Sequence, residues 1–165
     1  MSTPLDLRRV DASHVDLLAQ ADPRLAEAAD YRAHIAELLD CGLSWAMTAG
    51  DRAVGFAVVT RQFYAFPFVD LLVVAESARR GGVGSALMAR CEADHDRDRI
   101  FTSTNESNTP MRRLLAKAGW LASGQIDNLD PGDPELVFVK FRAQGALKPV
   151  GPAPSRHGRA RPGHP

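Results

Sequence analysis

Chemistry is concentrated in one run of the sequence, Val73-Val74-Ala75-Glu76-Ser77-Ala78-Arg79-Arg80-Gly81-Gly82-Val83-Gly84-Ser85-Ala86-Leu87-Met88. An apolar strand leads into a basic, glycine-dense turn, and the turn opens directly onto an amphipathic helix. Glycine lets a backbone approach a ligand closely, and the unpaired N–H groups at a helix start, aided by the helix dipole, attract anions. Arg79 and Arg80 add positive charge where a diphosphate would sit. A tight turn with two surface arginines shares some of these features, but strand, basic turn and helix in this order point to a phosphate-bearing ligand. No Gly-Lys-Ser/Thr follows the glycines, as a triphosphate loop requires. Nor does a full Gly-x-Gly-x-x-Gly open a βαβ unit, as a dinucleotide site requires.

Asp70 is the only charge in the apolar strand Phe68–Val74. A lone carboxylate there is costly without a partner or a task. It either acts on a substrate or pairs with a base such as Arg61. Strand alternation places it on the face of Leu72 and Val74 unless a bulge intervenes. His14, His34 and His95 fall on helical segments without metal spacing, and no metal is expected. Cys41 and Cys91 fit no metal or redox spacing either, and are expected as buried hydrophobes in a reducing cytoplasm. Phe63, Tyr64, Phe66 and Phe68 either line a pocket or fill the core.

The elements that position these residues alternate. Leu5–Val10 reads as a strand, followed by helices over Ala12–Ala21 and Pro23–Leu39. Ser44–Ala49 and Ala53–Thr60 flank Gly50-Asp51 as a hairpin. Phe68–Val74 reads as a central strand covered on both faces. A helix over Val83–Asp94, a strand over Ile100–Thr104 and a helix opening at Thr109-Pro110 and closing at Gly119 follow. Trp120–Leu129 and Glu135–Phe141 are the last strands. The order β-α-α-β-β-β-α-β-α-β-β predicts one α/β domain with a mixed, mostly antiparallel sheet flanked by helices.

Composition bounds the rest. Lys plus Arg equals Asp plus Glu at 20 each, so no global attraction to nucleic acid or to a membrane surface exists. No apolar stretch approaches the ~20 residues of a membrane span, and no signal core follows Arg8-Arg9. Beyond Arg142 the chain turns rich in Pro and Gly and holds Lys148, Arg156, Arg159 and Arg161 with no acid. We expect a folded domain over 1–142 and a disordered basic tail over 143–165.

In the turn, Arg79-x-x-Gly82-x-Gly84 resembles the acetyl-CoA loop of the GNAT superfamily of N-acetyltransferases, Arg/Gln-x-x-Gly-x-Gly/Ala, placed as there after the fourth strand. A second block agrees: Asn108 is followed eleven and twelve residues later by Gly119 and Trp120, the family's spacing. The resemblance spans Leu5–Phe141. It implies that backbone N–H groups across Arg80, Gly81, Gly82, Val83, Gly84 and Ser85 hold the CoA pyrophosphate, with Arg79 beside them. Leu72, Val73 and Val74 would pair with the pantetheine like an added strand, and Val74 would serve catalysis by polarising the thioester carbonyl through its N–H. Asn108 would bond the pantetheine arm, cap its own helix, or both. Asp70 would orient or deprotonate the acceptor amine. The family often carries a Tyr general acid seven residues after the Asn; this chain has Leu115, a core-stripe residue. Tyr64 or Ser103 would have to replace it.

The implied function is acetyl transfer from acetyl-CoA to a primary amine, small-molecule or peptide, by direct attack in a ternary complex, in the cytoplasm. A CoA-binding regulatory protein without turnover and a nucleic-acid module acting through the tail are the alternatives, and a homodimer is left open. Asp127, Asp130, Asp133 and Glu135 form an acidic loop without a basic residue, and suggest a cationic acceptor or a merely solvated loop.

Overall fold

A computed structural model describes residues 4–142, so the expected tail lies outside the described residues. Seven strands form one sheet: β1 (Leu5–Val10), β2 (Leu43–Ala49), β3 (Arg52–Phe63), β4 (Phe66–Val74), β5 (Arg99–Asn105), β6 (Leu121–Ile126) and β7 (Glu135–Phe141). Their spatial order is β1-β2-β3-β4-β5-β7-β6. All neighbours run antiparallel except β4 and β5. The helices are α1 (Val15–Leu18), α2 (Arg24–Glu27), α3 (Ala29–Cys41), α4 (Val83–Asp94) and α5 (Thr109–Lys117).

Each face of the sheet is covered by its own apolar cluster. On one, Leu18, Leu25, Ile35 and Leu39 from α1–α3 meet Phe56 and Val58 of β3. On the other, Val83, Leu87, Met88 and Leu115 from α4 and α5 meet Ala57 and Val59. The alternation along β3 thus feeds both layers, and its centre is buried throughout.

The two expected early helices are broken. Ala12–Ala21 becomes a 3₁₀ turn at Ala12–His14 and the single turn of α1, and Pro23–Leu39 splits at Ala28, which is extended at φ −125° and ψ 104°. No Gly or Pro marks that break. It is held from outside, by Tyr31 reaching back to Asp22 and Arg32 reaching back to Leu25. The β3–β4 hairpin turns at Tyr64 and Ala65, with φ of 51° and 60°, the handedness that matches twisted strands. α5 is capped by Asn108, one of the two roles anticipated for it: its Oδ1 accepts the Met111 N–H at 3.2 Å. Cys91 is buried and its thiol pushed up to about 12 by burial, but Cys41 is exposed at the end of α3, against expectation. No helix among the described residues is long and apolar enough to cross a membrane.

The feature that matters for function is a seam. β4 and β5 pair only at Phe68 with Phe101 and Val69 with Thr102, and the Thr102 hydroxyl closes the junction by donating to the Val69 carbonyl at 3.0 Å. Beyond Val69 the two strands separate.

Candidate functional site

The separation of β4 and β5 opens a cleft of about 1060 Å³. Its floor is the free edge of β4. Ala75 N–H donates to Val54 of β3, and the Val73 carbonyl faces Gly55, so the odd residues point their backbone groups into the sheet. Leu72 and Val74 therefore turn their N–H and C=O groups outward, into the cleft. The Val74 carbonyl is met there by Arg79 Nε at 3.5 Å. A central strand with an unpaired edge is a template for an extended ligand.

α4 begins at the mouth of this cleft. Gly82 is its N-cap in left-handed backbone at φ 82°, and Arg80 is also left-handed at φ 62°. The first intrahelical bond runs from Ala86 to Gly82, which leaves the N–H groups of Val83, Gly84 and Ser85 without helical partners. Gly84 is buried, and a Cβ there would stand 3.0 Å from Leu114 and 3.5 Å from Val74. The helix start thus seats tightly against β4 and α5. Arg79, Arg80 and Arg113 supply positive charge around it.

The residues anticipated from sequence come together. Leu72, Val73, Val74, Arg79, Arg80, Gly82, Val83, Gly84, Ser85, Asn108 and Asp70 all line the cleft; Gly81 does not. Asp70 differs from expectation in its setting. The β3–β4 register jumps from Val58–Leu71 to Val59–Val69, so Asp70 is the extra residue of a bulge. Val69 packs on the α4–α5 face while Leu71 packs on the α1–α3 face, so the alternation slips there. Asp70 therefore does not share the setting of Leu72 and Val74; the His34 imidazole on α3 reaches it electrostatically from the opposite face. It is not paired with Arg61, which bonds Asp96 instead. Its Oδ2 accepts the Thr60 N–H at 3.0 Å. Burial dominates its titration and raises its pKa above the ordinary carboxylate value.

Leu115 is fully buried in the α4–α5 cluster and donates no proton to the cleft. Of the two substitutes, Ser103 lines the cleft, whereas Tyr64 sits 84% exposed at the β3–β4 hairpin and does not. The aromatic group of Phe63, Phe66, Phe68 and Phe101 packs on itself at that same hairpin end, outside the cleft. The acidic loop is largely spent on its own anchoring: Asp130 accepts from Asn105, and Asp133 from the Ser107 N–H and hydroxyl. Only Glu135 of that loop lines the cleft.

A sequence model of the Acetyltransferase (GNAT) family matches residues 12–120. The chain belongs to the GNAT acetyltransferase family. Among solved structures it resembles a GNAT-family acetyltransferase from Bacillus cereus, with 27% identity over 84% of this chain and 98% of that one and a TM-score of 0.76. A GNAT-family protein from Desulfovibrio desulfuricans shares the fold at 21% identity, over 84% of this chain and 99% of the other, with a TM-score of 0.69. A Bacillus anthracis structure in complex with acetyl coenzyme A shares it over 61% of this chain and 62% of that one, at 15% identity and a TM-score of 0.56. No curated protein sequence matches the chain. Leu72, Val74 and the start of α4 lie within the residues the family model matches.

Two charged contributors to the cleft carried no sequence signal: Arg24, which arrives from α2, and Arg113, one turn into α5. Neither lies in a motif; each is adjacent to the cleft only through the fold.

Proposed function

We propose that this protein is an N-acetyltransferase that moves the acetyl group of acetyl-CoA to a primary amine by direct attack in a ternary complex. The observation that carries the reading is the outward backbone edge of Leu72 and Val74, continuous with the unpartnered N–H groups at the start of α4. The shape suits a co-substrate with an extended amide-bearing arm ending in a diphosphate. Val83, Gly84 and Ser85 would donate to the diphosphate, with Arg79 and Arg80 beside it. The Leu72 and Val74 edges would pair with the pantetheine amides, and an outward N–H there would polarise the thioester carbonyl. Asn108 Oδ1 is taken by its capping bond, so its amide nitrogen is the group left for the pantetheine arm.

Acetyl-CoA supplies an activated acyl carbon. The amine nitrogen attacks that carbon, the carbon–sulfur bond breaks, and the thiolate leaves with the bonding pair while the nitrogen gives up a proton. An alkylammonium titrates near 10 and an ordinary carboxylate near 4. Burial raises Asp70 from that value, and its place in the cleft suits it to anchor the ammonium or a water that carries its proton away. A leaving thiol titrates near 8.5, which makes a strong general acid dispensable and fits the burial of Leu115. The two unpaired cysteines suit a reducing cytoplasm.

Acetyl-CoA should raise the melting temperature, and thiol release over a broad amine panel should identify acceptors. The absence of a proton-donating side chain at Leu115 favours one second reading, a protein that binds CoA to regulate. Binding of acetyl-CoA without turnover on any amine would select it.

A further inference from the structure

Arg24 opens α2 and reaches the cleft from the α1–α3 side. Its guanidinium is held in one orientation. Nε donates to Asp22 Oδ1 at 2.8 Å, and Nη2 donates to Asp22 Oδ2 at 2.7 Å and to the Tyr31 hydroxyl at 3.0 Å. The Tyr31 hydroxyl donates to the same Asp22 oxygen at 2.9 Å, and its ring lies 4.6 Å beneath the guanidinium carbon. Only Nη1 remains, with two N–H groups that have no partner among the described residues.

Exposure within the pair is lopsided. The Asp22 side chain is 4% exposed and that of Arg24 61%. Burial pushes the Asp22 carboxyl up, but the bonds from Arg24 and Tyr31 outweigh it and hold the group below its ordinary value. It is therefore a fixed anion at working pH. Burial and Asp22 push the Tyr31 phenol up to about 12, so it stays a neutral donor. A largely exposed partner adds little stability through charge alone. What the arrangement supplies is orientation: an arginine whose free N–H pair is fixed before any ligand arrives. The other cleft cations, Arg79, Arg80 and Arg113, come from the α4 and α5 side, and Asp70 and Glu135 are the anions.

We propose that Arg24 is a specificity-determining residue that binds a carboxylate on the acceptor, so that the acceptor is an amino acid or a close analogue. Its ammonium lies toward Asp70 and its carboxylate at Nη1. This rests on the acetyl-transfer reading of the same cleft, and it replaces a plain cationic amine with a zwitterion.

The test compares L-amino acids with their matching carboxamides as acceptors. In parallel, the CoA-loaded protein is titrated with N-acetyl-L-amino acids and their amides by thermal shift. At least one amino acid should exceed its carboxamide about tenfold in kcat/KM, chiefly through KM. Arg24→Gln should bring the ratio to about one while the acetyl-CoA shift persists; Tyr31→Phe, which loosens Arg24 without removing it, should narrow the ratio. Carboxamides that react as well as acids, or a ratio that survives Arg24→Gln, overturn the inference and leave acetyl transfer standing. No thiol release, yet Arg24-dependent binding of N-acetyl acids, would overturn acetyl transfer and keep the carboxylate site. A protein that neither turns over amino acids nor binds their N-acetyl forms overturns this proposal outright.

Discussion

The two walls of the cleft are made of different material. The α4 wall is backbone: outward groups of Leu72 and Val74, then unpartnered N–H groups at Val83, Gly84 and Ser85, within a span of fourteen residues. The opposite wall is side chains: Asp70 set by a β4 bulge, and Arg24 set by Asp22 and Tyr31. A backbone wall tolerates many side chains but no added atoms at its close approaches. A side-chain wall is rewritten by single substitutions. One scaffold can therefore keep its co-substrate while changing its acceptor, and the two walls should fail separately.

The sharpest test of that separation is Gly82→Glu. An ideal Cβ there meets nothing within 4 Å, so the protein should fold, with only the strain of φ 82° to bear. A carboxylate at the diphosphate position removes several charge-assisted bonds, and acetyl-CoA affinity should fall about 10³-fold. A folded variant with an undiminished thermal shift would refute the backbone wall.

Asp70→Asn strikes the other wall. We expect kcat/KM to fall roughly 10²-fold with acetyl-CoA affinity unchanged. Stability should move the opposite way. Because burial raises the Asp70 pKa, its ionised form opposes folding: its contribution is most favourable below the unfolded pKa and is lost as pH rises through the folded one. Asn still accepts the Thr60 N–H, so the variant should melt higher than the native protein at pH 7 and equal to it in acid. A drop in melting temperature at pH 7, or full activity, would return Asp70 to a purely structural role.

Tyr31→Phe should cost about 2 kcal/mol of stability, one hydrogen bond to a charged group. Asp22 has a depressed pKa, so its stabilisation is present at neutral pH and lost as pH falls through the folded value. Losing Tyr31's bond weakens that depression, and acid unfolding should begin at higher pH. An unchanged acid midpoint would detach Tyr31 from the ion pair.

Tyr64→Phe should change nothing, and the native kcat/KM should rise with pH without a falling limb below about pH 9. A bell-shaped profile would point to Ser103 or another cleft group as an acid.

The same contrast explains what the sequence disclosed. The α4 wall was legible because backbone sites are local: the residues that shape the turn are neighbours in the chain. The strand and helix bounds around it were nearly right for the same reason, with α4 falling on Val83–Asp94. Asp70 stood out as a charge among apolar residues, but the sequence could name a bulge only as an exception, since a register jump depends on the partner strand. Arg24 was invisible. Its importance arises from a break at Ala28 that no local breaker announces, and from a cleft contributed by residues far along the chain. Asn108 was legible as a helix cap as well as a ligand contact, and the capping role is the one its Oδ1 fills.

The split between β4 and β5 also leaves a signature in solvent exchange. Leu71 and Val73 send their amides into β3, whereas Leu72 and Val74 send theirs toward open solvent, all within the middle strand of the sheet. In the free protein, deuterium should enter at Leu72 and Val74 while their immediate neighbours remain protected to the level of global unfolding. An even–odd alternation of exchange rates is ordinarily the mark of a sheet's outer rim. Here it would run down the centre of the molecule, and occupation of the cleft by an extended ligand would erase it residue by residue.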